Sequence, residues 1–376
     1  MSKRRILFSA AGGHGHLQPL LPLARAAAAA GHQVLLSGAP SFAVHVANQN
    51  LAFSPSGPDL VPVHSELTLS TLDQERQAIP RHFIGHLAPP RAHDLTELAT
   101  DWNADTLVSD EADYGAIVAA ETLHLPHATV ITCGAGGMTP PSLIRSPLEH
   151  LRAGFSLPLE DGTLMLQRSL KLNPFPPSFR DPAHPLTGRV INYRPPHLPP
   201  QPSPPTAGPV YLTLGTIFNT ESGDLLARIT TAAAAADLTQ VIVATGEHVY
   251  PTDLRAQPPN VTIHRFVNQQ QILATCTALI CHGGSGTILD ALTYGLPMII
   301  LPLGADQPLN ASRAHDLGCA IVLPADRVTQ RQITGAVNRL LTDPTIRAAS
   351  ALLHTELRQQ SSIDNVVQAL EHHATT

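Results

Sequence analysis

The clearest indication of the fold comes from the segment Ala278-Leu-Ile-Cys-His-Gly-Gly-Ser-Gly-Thr287. An apolar run is followed by a glycine-rich turn and then by residues that favour a helix. Backbone N–H groups in such a turn can approach an anion closely, and a helix N-terminus adds partial positive charge. Ser285 and Thr287 add hydroxyl donors, and His282 adds a ring N–H. The stretch predicts a strand–turn–helix unit that binds a phosphate, with a capped helix after a tight turn as the simpler alternative.

Apolar runs alternate with turns and helix-favouring segments on both sides of this stretch, through both halves of the chain. This alternation predicts a helix over 17–30, and the apolar runs predict strands at 6–10, 34–37, 106–109, 127–132, 210–214, 241–244, 278–281 and 298–303. Strands that alternate with helices form parallel sheets with right-handed crossovers. Two such halves predict an α/β protein of two doubly wound domains, whose ligands bind at the carboxyl ends of the strands, near the cleft between the domains.

A proline-rich segment separates the two halves. Eight of the fifteen residues from 195 to 209 are proline. Proline lacks an N–H donor and fixes φ, so this segment is expected to be an extended, stiff spacer. The sequence therefore predicts an N-terminal domain over 1–194, a linker over 195–209 and a C-terminal domain over 210–376. The last helix is expected to pack back on the N-terminal domain.

Composition excludes several classes of function. The formal net charge is -6, and no basic run follows Lys3-Arg4-Arg5, so we expect no nucleic-acid partner. No apolar run approaches the ~18 residues of a membrane span. The four cysteines have no paired spacing, which is typical of reduced thiols in a cytoplasmic protein and disfavours a metal site built on them.

Two common nucleotide fingerprints are missing. The pattern G-x-G-x-x-G fails from Gly284, because Leu289 stands where the third glycine belongs, and it fails from Gly13, because Gln18 stands there. There is also no G-x-x-x-x-G-K-[ST] pattern. These absences from the sequence disfavour a dehydrogenase and an ATP-binding P-loop protein.

A second group of polar residues follows the strand predicted at 298–303. Asp306 and Gln307 lie just past its end, on the same edge of the sheet as the glycine-rich turn. A carboxylate beside an amide can both accept and donate hydrogen bonds, which suits a ligand with several hydroxyl groups. The alternative is an Asx-type turn before a helix capped by Asn310.

Together these motifs resemble the donor-binding signature of family 1 glycosyltransferases, which have the two-domain GT-B fold. The actinomycete enzymes that act on macrolide and enediyne-type antibiotics are most similar. The resemblance covers most of the chain and is carried by His282–Thr287, Ala291-Leu292, Gly295, Pro297, Pro302, Asp306-Gln307, Asn310-Ala311, Phe266–Gln269, Leu214-Gly215-Thr216, Gly15-His16, Pro19 and Leu20.

The resemblance implies a nucleotide-sugar site on the C-terminal domain. It assigns the diphosphate to His282 and to the turn residues Gly284, Ser285, Gly286 and Thr287, and Thr216 reaches the diphosphate or the sugar from the first loop of that domain. It assigns the nucleobase to Phe266, with Val267 and Gln269 nearby. It assigns sugar hydroxyls to Asp306 and Gln307. It aligns Asp290 with an acid that binds ribose in plant members.

Two departures from the family pattern bear on the donor. Asn268 replaces the usual proline before Gln269, which is expected to shift the loop near the base. Ser285 stands where plant members have tryptophan. The second departure favours a deoxythymidine-diphosphate sugar, with a uridine-diphosphate sugar as the other option.

Transfer of a sugar to an alcohol needs a base, and histidine suits that role near neutral pH. The N-terminal loop offers His14 and His16, and the resemblance selects His16. The helix end beside it is expected to disfavour the imidazolium. Asp110 ends a predicted strand and matches the family's partner acid, although Glu111 and Asp113 are alternatives, and Asp110 could instead cap the next helix.

The expected activity is a hexosyltransferase reaction by single in-line displacement, with inversion at the anomeric carbon. Helix-end donors and histidine supply positive potential, so neither a metal nor a cofactor is expected. A small hydrophobic acceptor should contact N-terminal loops over 53–90 and 134–180, including Phe83, His86 and Met138. The acceptor's identity and the choice between monomer and homodimer stay open. The rival functions are a nucleotide-sugar epimerase or hydrolase and a non-catalytic partner of another glycosyltransferase.

Overall fold

Two parallel β-sheets organise the protein. The computed structural model describes residues 3–59, 69–200, 208–215, 222–236, 240–246, 254 and 258–373. Within these residues the first sheet has the order β3-β2-β1-β4-β5-β6-β7. Its strands are Arg5–Ala10 (β1), Gln33–Gly38 (β2), Ala52–Pro55 (β3), Thr106–Asp110 (β4), His127–Val130 (β5), Leu170–Asn173 (β6) and Val190–Asn192 (β7).

The second sheet lies in the C-terminal half and has the order β10-β9-β8-β11-β12-β13. Its strands are Val210–Thr213 (β8), Val241–Ala244 (β9), Val261–His264 (β10), Ala278–Cys281 (β11), Met298–Ile300 (β12) and Ala320–Val322 (β13). All recorded pairings in both sheets are parallel, for example Leu279 with Tyr211 and with Met298. The predicted pair of parallel sheets is thus confirmed.

Helices flank both sheets. They are His14–Leu17 (α1), Leu21–Ala29 (α2), Ala43–Ala47 (α3), Leu72–Ala78 (α4), Ala88–Asp101 (α5), Tyr114–Thr122 (α6), Pro141–Gly154 (α7), Leu164–Arg168 (α8), Leu225–Ala234 (α9), Gln269–Leu273 (α10), Ser285–Thr293 (α11), Gln307–Asp316 (α12), Gln330–Thr342 (α13), Pro344–Arg358 (α14) and Ile363–His373 (α15). A π-helical segment, Ile79–Leu87, joins α4 to α5, and two short 3₁₀ turns lie at Pro40–Phe42 and Pro177–Phe179.

Two local expectations and one alternative were wrong. The helix expected over 17–30 is divided into α1 and α2, because Pro19 and Pro22 lack the N–H groups that a continuous helix would need there. The segment 72–90 is helical rather than a loop. Asn310 lies inside α12, which begins after Asp306, so it does not cap that helix.

Each sheet reverses its strand order at one point. In the first sheet the reversal lies between β1 and β4, and in the second it lies between β8 and β11. The loops that follow the two strands at such a point leave in opposite directions and open a crevice at the carboxyl edge. The topology therefore directs attention to the residues after β1, β4, β8 and β11.

The two halves are also joined by apolar contacts. Phe175 and Phe179 of the N-terminal half are buried in one cluster with residues of the second sheet, including Met298. At the chain's end, α15 packs on the N-terminal domain, where Val366 and Leu370 are buried with residues of α2. An interface of this kind resists free movement of one domain against the other.

Candidate active site

The turn after β1 carries the candidate base. Gly12 has φ 107°, a conformation that favours glycine, and it lets the chain enter α1 immediately. The His16 ring lies over this glycine, where a Cβ would approach its Cδ2 to 2.6 Å. His16 Nδ1 is 2.9 Å from Asp110 Oδ1. The structure thus brings together the two residues selected from the sequence, although 94 positions separate them.

Asp110 is held firmly at the end of β4. Its side chain is fully buried, and it accepts backbone N–H groups from Ala11 at 2.7 Å and from Ala112 at 2.8 Å. Because this carboxylate faces Nδ1 of His16, the neutral imidazole carries its proton on Nδ1. The Nε2 atom is then left as the proton acceptor, on a side chain that is 24% exposed.

The pKa of His16 differs from the expectation. Burial by itself lowers the pKa of the imidazole, but the charge of Asp110 and the hydrogen bond to it outweigh burial, and Asp306 and Glu111 act in the same direction. The net effect is a raised pKa. The helix end was expected to disfavour the imidazolium, but α1 has only four residues, and the buried carboxylate in direct contact with the ring favours the charged form.

The two neighbouring acids are engaged elsewhere. Asp113 is paired with the buried Arg91, with 3.1 Å between Oδ1 and Nε, and it caps α6 by accepting the N–H of Ala116 at 3.1 Å. Glu111 accepts the backbone N–H of Thr132 at 2.7 Å. The acid at the end of β4 is therefore the partner of the imidazole, and Asp113 is the helix cap.

An apolar wall lies beside the base. The Phe83 ring centroid is 5.6 Å from that of His16, and Phe83 packs against the apolar cluster that contains the buried Met138. His86 lies on the same π-helical segment and is exposed. A π-helix is rare and often occurs at functional sites.

Across the cleft, the turn after β11 presents backbone donors. Gly283 has φ 93°, and Gly284 is the N-cap residue of α11, where no side chain caps the helix. Gly286 is exposed, with open space around its Cα, and Thr287 is half-buried beside it. The first-turn N–H groups of a helix have no partner within the helix, so this end suits an anion.

His282 lies beneath this turn. It is 8% exposed, and its Nδ1 has no hydrogen-bond partner in the described part of the chain. Burial lowers the pKa of the ring to about 4, so the imidazole is neutral at physiological pH. The ring lies against Gly215, where a Cβ would approach Nε2 to 2.8 Å. Thr216, the next predicted donor residue, lies outside the described residues.

The side chains of Ser285 and Asp306 contact each other. Ser285 Oγ donates to Asp306 Oδ2 at 2.6 Å and accepts the backbone N–H of Gly134, from the N-terminal domain, at 2.9 Å. Burial raises the pKa of Asp306, although the hydrogen bonds from Ser285 and Asn310 oppose that rise. The Ser285 hydroxyl is thus engaged within the protein, and the backbone N–H of that residue is what remains for a phosphate.

Gln307 begins α12 and is 2% exposed. Its Oε1 accepts the backbone N–H groups of Leu303 at 2.7 Å and of Gly304 at 3.2 Å. The amide oxygen therefore fixes the loop after β12. Only the Nε2 group remains to donate to a ligand.

The predicted nucleoside residues surround the start of α10. Phe266 is 63% exposed, while Val267 packs against the apolar cluster. Asn268, the departure from the family pattern, caps α10 through a bond from the N–H of Gln271 at 3.2 Å. Gln269 Nε2 donates to Asp290 Oδ2 at 2.7 Å.

Comparisons with known proteins agree with this geometry. Residues 229–373 match the family model of the erythromycin biosynthesis protein CIII-like C-terminal domain. The chain is 27% identical to the 10-deoxymethynolide desosaminyltransferase of Streptomyces venezuelae over 98% of this chain and 96% of that protein. It is 28% identical to the L-demethylnoviosyl transferase of Streptomyces niveus over 94% and 93%.

Solved structures establish the fold. The calicheamicin glycosyltransferase CalG4 superposes with a TM-score of 0.81 at 22% identity, covering 100% of this chain and 99% of its own. VinC in complex with dTDP gives a TM-score of 0.78 at 22% identity, covering 99% of both chains. The protein has the GT-B fold, and its similarity to these relatives identifies it as a glycosyltransferase.

Sequence reasoning left two residues of this glycosyltransferase without a role. Asn310 was considered only as part of the signature or as a helix cap, yet it is fully buried between the domains. His197 lies in the linker, with Nε2 3.4 Å from Asp290 Oδ1. No local pattern marks such a histidine, because its contact depends on how the linker crosses the C-terminal domain.

The described residues of the glycosyltransferase contain no group of three or more His, Cys, Asp or Glu side chains suited to holding a metal ion. None of their helices is long and apolar enough to cross a membrane.

Proposed function

We propose that this glycosyltransferase moves a sugar from a deoxythymidine-diphosphate sugar to a hydroxyl of a small hydrophobic acceptor. The reaction inverts the anomeric centre and uses no metal or other cofactor. The observation that carries the proposal is the His16–Asp110 pair at 2.9 Å on one wall of the cleft. Asp306, on the opposite domain, is close enough to contribute to the raised pKa of His16. Base and sugar subsite therefore share one space.

The reaction is a single displacement. His16 Nε2 takes the proton of the acceptor hydroxyl as the oxygen attacks the anomeric carbon. The bond from that carbon to the diphosphate breaks, and the diphosphate leaves with the electron pair. Asp110 keeps Nδ1 protonated and stabilises the imidazolium that forms. Attack opposite the leaving group inverts the configuration.

Charge on the leaving diphosphate is stabilised by the turn after β11. The donors are the first-turn N–H groups of α11, the Thr287 hydroxyl and a ring N–H of His282. Since burial keeps His282 neutral, it contributes a hydrogen bond rather than a full charge. Fixed donors of this kind need no reorganisation as charge develops. Thr216, although outside the described residues, is assigned to the same group.

Asp306 and Gln307 are proposed to hold sugar hydroxyls, and Phe266 to lie on the nucleobase. Support for a deoxyribose comes from Asp290, whose two oxygens already contact Gln269 and His197. Fewer acceptors then remain for an additional ribose hydroxyl. The similar protein VinC was solved in complex with dTDP.

Support for a hydrophobic acceptor comes from the N-terminal wall. Phe83 lies next to His16 and packs against the apolar cluster that contains Met138, and His86 is an exposed residue of the same π-helical segment. Another protein of similar fold, the spinosyn rhamnosyltransferase SpnG, was solved with the spinosyn aglycone. The acceptor site is accordingly assigned to the N-terminal domain.

The test is product analysis with a panel of dTDP- and UDP-sugars and apolar alcohols, with and without a chelator. We expect acceptor-dependent release of dTDP, unaffected by the chelator, and a glycoside whose anomeric configuration by NMR is opposite to that of the donor. Retained configuration or loss of activity with the chelator would contradict the mechanism. Donor epimerisation or hydrolysis with no glycoside formed would favour the rival enzyme.

A further inference from the structure

A glycine-rich loop of the N-terminal domain docks onto the donor side of the cleft. The loop is Cys133-Gly-Ala-Gly-Gly-Met138, after β5. Its Gly134 N–H donates to Ser285 Oγ at 2.9 Å, and its Ala135 N–H donates to Asn310 Oδ1 at 3.1 Å. These are two buried hydrogen bonds between domains, made across 151 and 175 positions of sequence.

Asn310 connects this loop to the proposed sugar subsite. It is completely buried, and its Nδ2 lies 2.8 Å from Asp306 Oδ2, 2.9 Å from Ser285 Oγ and 3.1 Å from the Gly283 carbonyl oxygen. The Asn310 amide thus accepts a hydrogen bond from the loop through its oxygen and donates one to the Asp306 carboxylate through its nitrogen. Removing the amide leaves buried groups unpaired on both sides.

The other end of the loop reaches the acceptor wall. The Gly137 carbonyl accepts a hydrogen bond from Arg76 Nε at 2.9 Å, and Met138 is buried in the cluster against which Phe83 packs. Phe83 in turn lies beside His16. A continuous path of contacts therefore runs from the acceptor wall, through the loop, to the amide on α12.

The shape of the loop leaves little freedom. A Cβ on Gly134 would lie 2.8 Å from the ring of Phe175 and 3.1 Å from that of Phe179, both buried in the domain interface. Gly136 and Gly137 have φ of 79° and 84°. The loop can keep its two interdomain bonds in this conformation only while these positions lack side chains.

We propose that Asn310 is a positioning residue that couples the sugar subsite to the docking of the loop 133–138. This inference rests on the proposed function, in which Asp306 holds the donor sugar. When the loop is docked, Asn310 fixes the Asp306 carboxylate and the loop's apolar end closes the acceptor side. When the docking is impaired, the sugar is held loosely and water reaches the anomeric carbon, so hydrolysis of the donor competes with transfer.

The experiment compares Asn310→Ala, Gly134→Ala and the double variant with the unmodified protein. Asn260→Ala is the matched control, because Asn260 is a partly buried asparagine of the same domain whose side chain donates to the Ala234 carbonyl oxygen, away from the loop. Three quantities are measured: sugar transferred to acceptor, free sugar formed by hydrolysis, and the Kd of dTDP by calorimetry. Circular dichroism checks that each variant is folded.

We expect each single variant to lower the ratio of transfer to hydrolysis by about tenfold. The Kd of dTDP should stay within about twofold, because the loop and Asn310 contact the turn after β11 through the Ser285 hydroxyl and the Gly283 carbonyl, and not through the backbone N–H groups proposed to bind the diphosphate. The double variant should be little worse than either single one, since both substitutions break the same connection. The control should match the unmodified protein.

A merely structural role would lower transfer and hydrolysis equally and weaken dTDP binding as well, and that result would overturn the inference. An additive double variant would also overturn it. Should Asn310→Ala fail to fold, Gly134→Ala alone tests the inference, because it alters the same interdomain contact from the N-terminal domain. Absence of any transfer by the unmodified protein would instead refute the proposed function, whereas normal transfer with unchanged ratios in the variants refutes only the coupling.

Discussion

The two sheets end in different chemistry at the same cleft. After β1 and β4 the N-terminal domain presents a buried carboxylate, with two backbone donors, bonded to an imidazole. After β11 the C-terminal domain presents a glycine turn, an uncapped helix and a histidine whose pKa burial lowers to about 4. Under the proposed function, the first side moves a proton, and the second side stabilises negative charge without moving one.

This division follows from how each histidine is buried. Both rings lose water, which disfavours their charged forms. At His16, burial destabilises the charged ring, but the contact with Asp110 stabilises it by more, so the pKa rises. Among the described residues no carboxylate has such an influence on His282, and burial lowers its pKa. The same residue type thus takes two roles through its neighbours, and each domain alone is incomplete.

The largest expected effect comes from removing the proton acceptor. His16→Ala should lower kcat by about 10²-fold or more, because the acceptor hydroxyl then lacks a base. Initial rates at saturating donor and acceptor measure it. His14→Ala is the matched control on the same short helix, since the Asp110 contact belongs to His16. Nearly normal turnover of His16→Ala would remove the proton-transfer role from the N-terminal side.

The next effect concerns the sugar subsite on the opposite side. Asp306→Ala should lower kcat/KM for the donor sugar by about thirtyfold, as expected for losing a charge-assisted hydrogen bond. The Kd of dTDP, which lacks the sugar, should change by about twofold at most. Kinetics with the sugar donor and calorimetry with dTDP separate the two quantities. Equal losses in both would argue against a sugar contact.

A smaller effect is expected from charge at the uncapped helix. Gly286→Asp should raise the Kd of dTDP by about tenfold, because a carboxylate at the first turn of α11 repels the diphosphate. The same charge favours the helix N-terminus, so Tm should not fall. Gly286→Asn is the neutral control of equal size, and the space at this position accepts both. Equal weakening by both substitutions would point to steric hindrance instead of electrostatics.

The smallest effect is a difference between the pH dependence of kcat/KM, which His16 controls, and that of dTDP binding, which involves His282. Because the pKa of His16 is raised above 6.5, kcat/KM should rise with pH through an interval above 6.5 as the base loses its proton. The Kd of dTDP should change by about twofold at most between about pH 7 and 9, since His282 is neutral throughout. Parallel pH profiles of the rate and of calorimetric binding test this. Binding that weakens together with the rise in rate would mean that the C-terminal side also titrates.

His16 should also affect stability in the corresponding direction. A folded-state pKa above the unfolded value means that the protonated form stabilises the fold. This contribution is complete below about pH 6.5 and is lost as pH rises through the raised pKa. The difference in Tm between the unmodified protein and His16→Gln should therefore shrink toward high pH. A constant difference would show that the Asp110 contact does not favour the protonated ring.

Much of the fold was predictable because its signals are local. Strands β9 and β11 have the bounds predicted from sequence, since buried parallel strands are short apolar runs ended by turn residues. The division of helix 17–30 at Pro19 is also a local effect, and it was missed because the alanine-rich pattern outweighed it. The helical character of 72–90 was hidden by its prolines, which lie in the first turns of the π-helical segment and of α5.

The candidate site was predictable in its residues but not in its bonds. The motifs drew attention to His16, Asp110, Ser285 and Asp306. They did not reveal that the Ser285 hydroxyl contacts Gly134 of the other domain, or that Glu111 and Asp113 are engaged elsewhere. Hydrogen bonds between distant positions leave no periodic pattern in the chain.

By itself the sequence determined two parallel sheets, a glycine turn at a helix start and a histidine after the first strand, because turn chemistry and apolar runs act over a few residues. The tertiary structure alone decided the pKa of each histidine and the role of Asn310. The reason is physical: desolvation, charge contacts and satisfied buried hydrogen bonds depend on which residues the fold brings into contact.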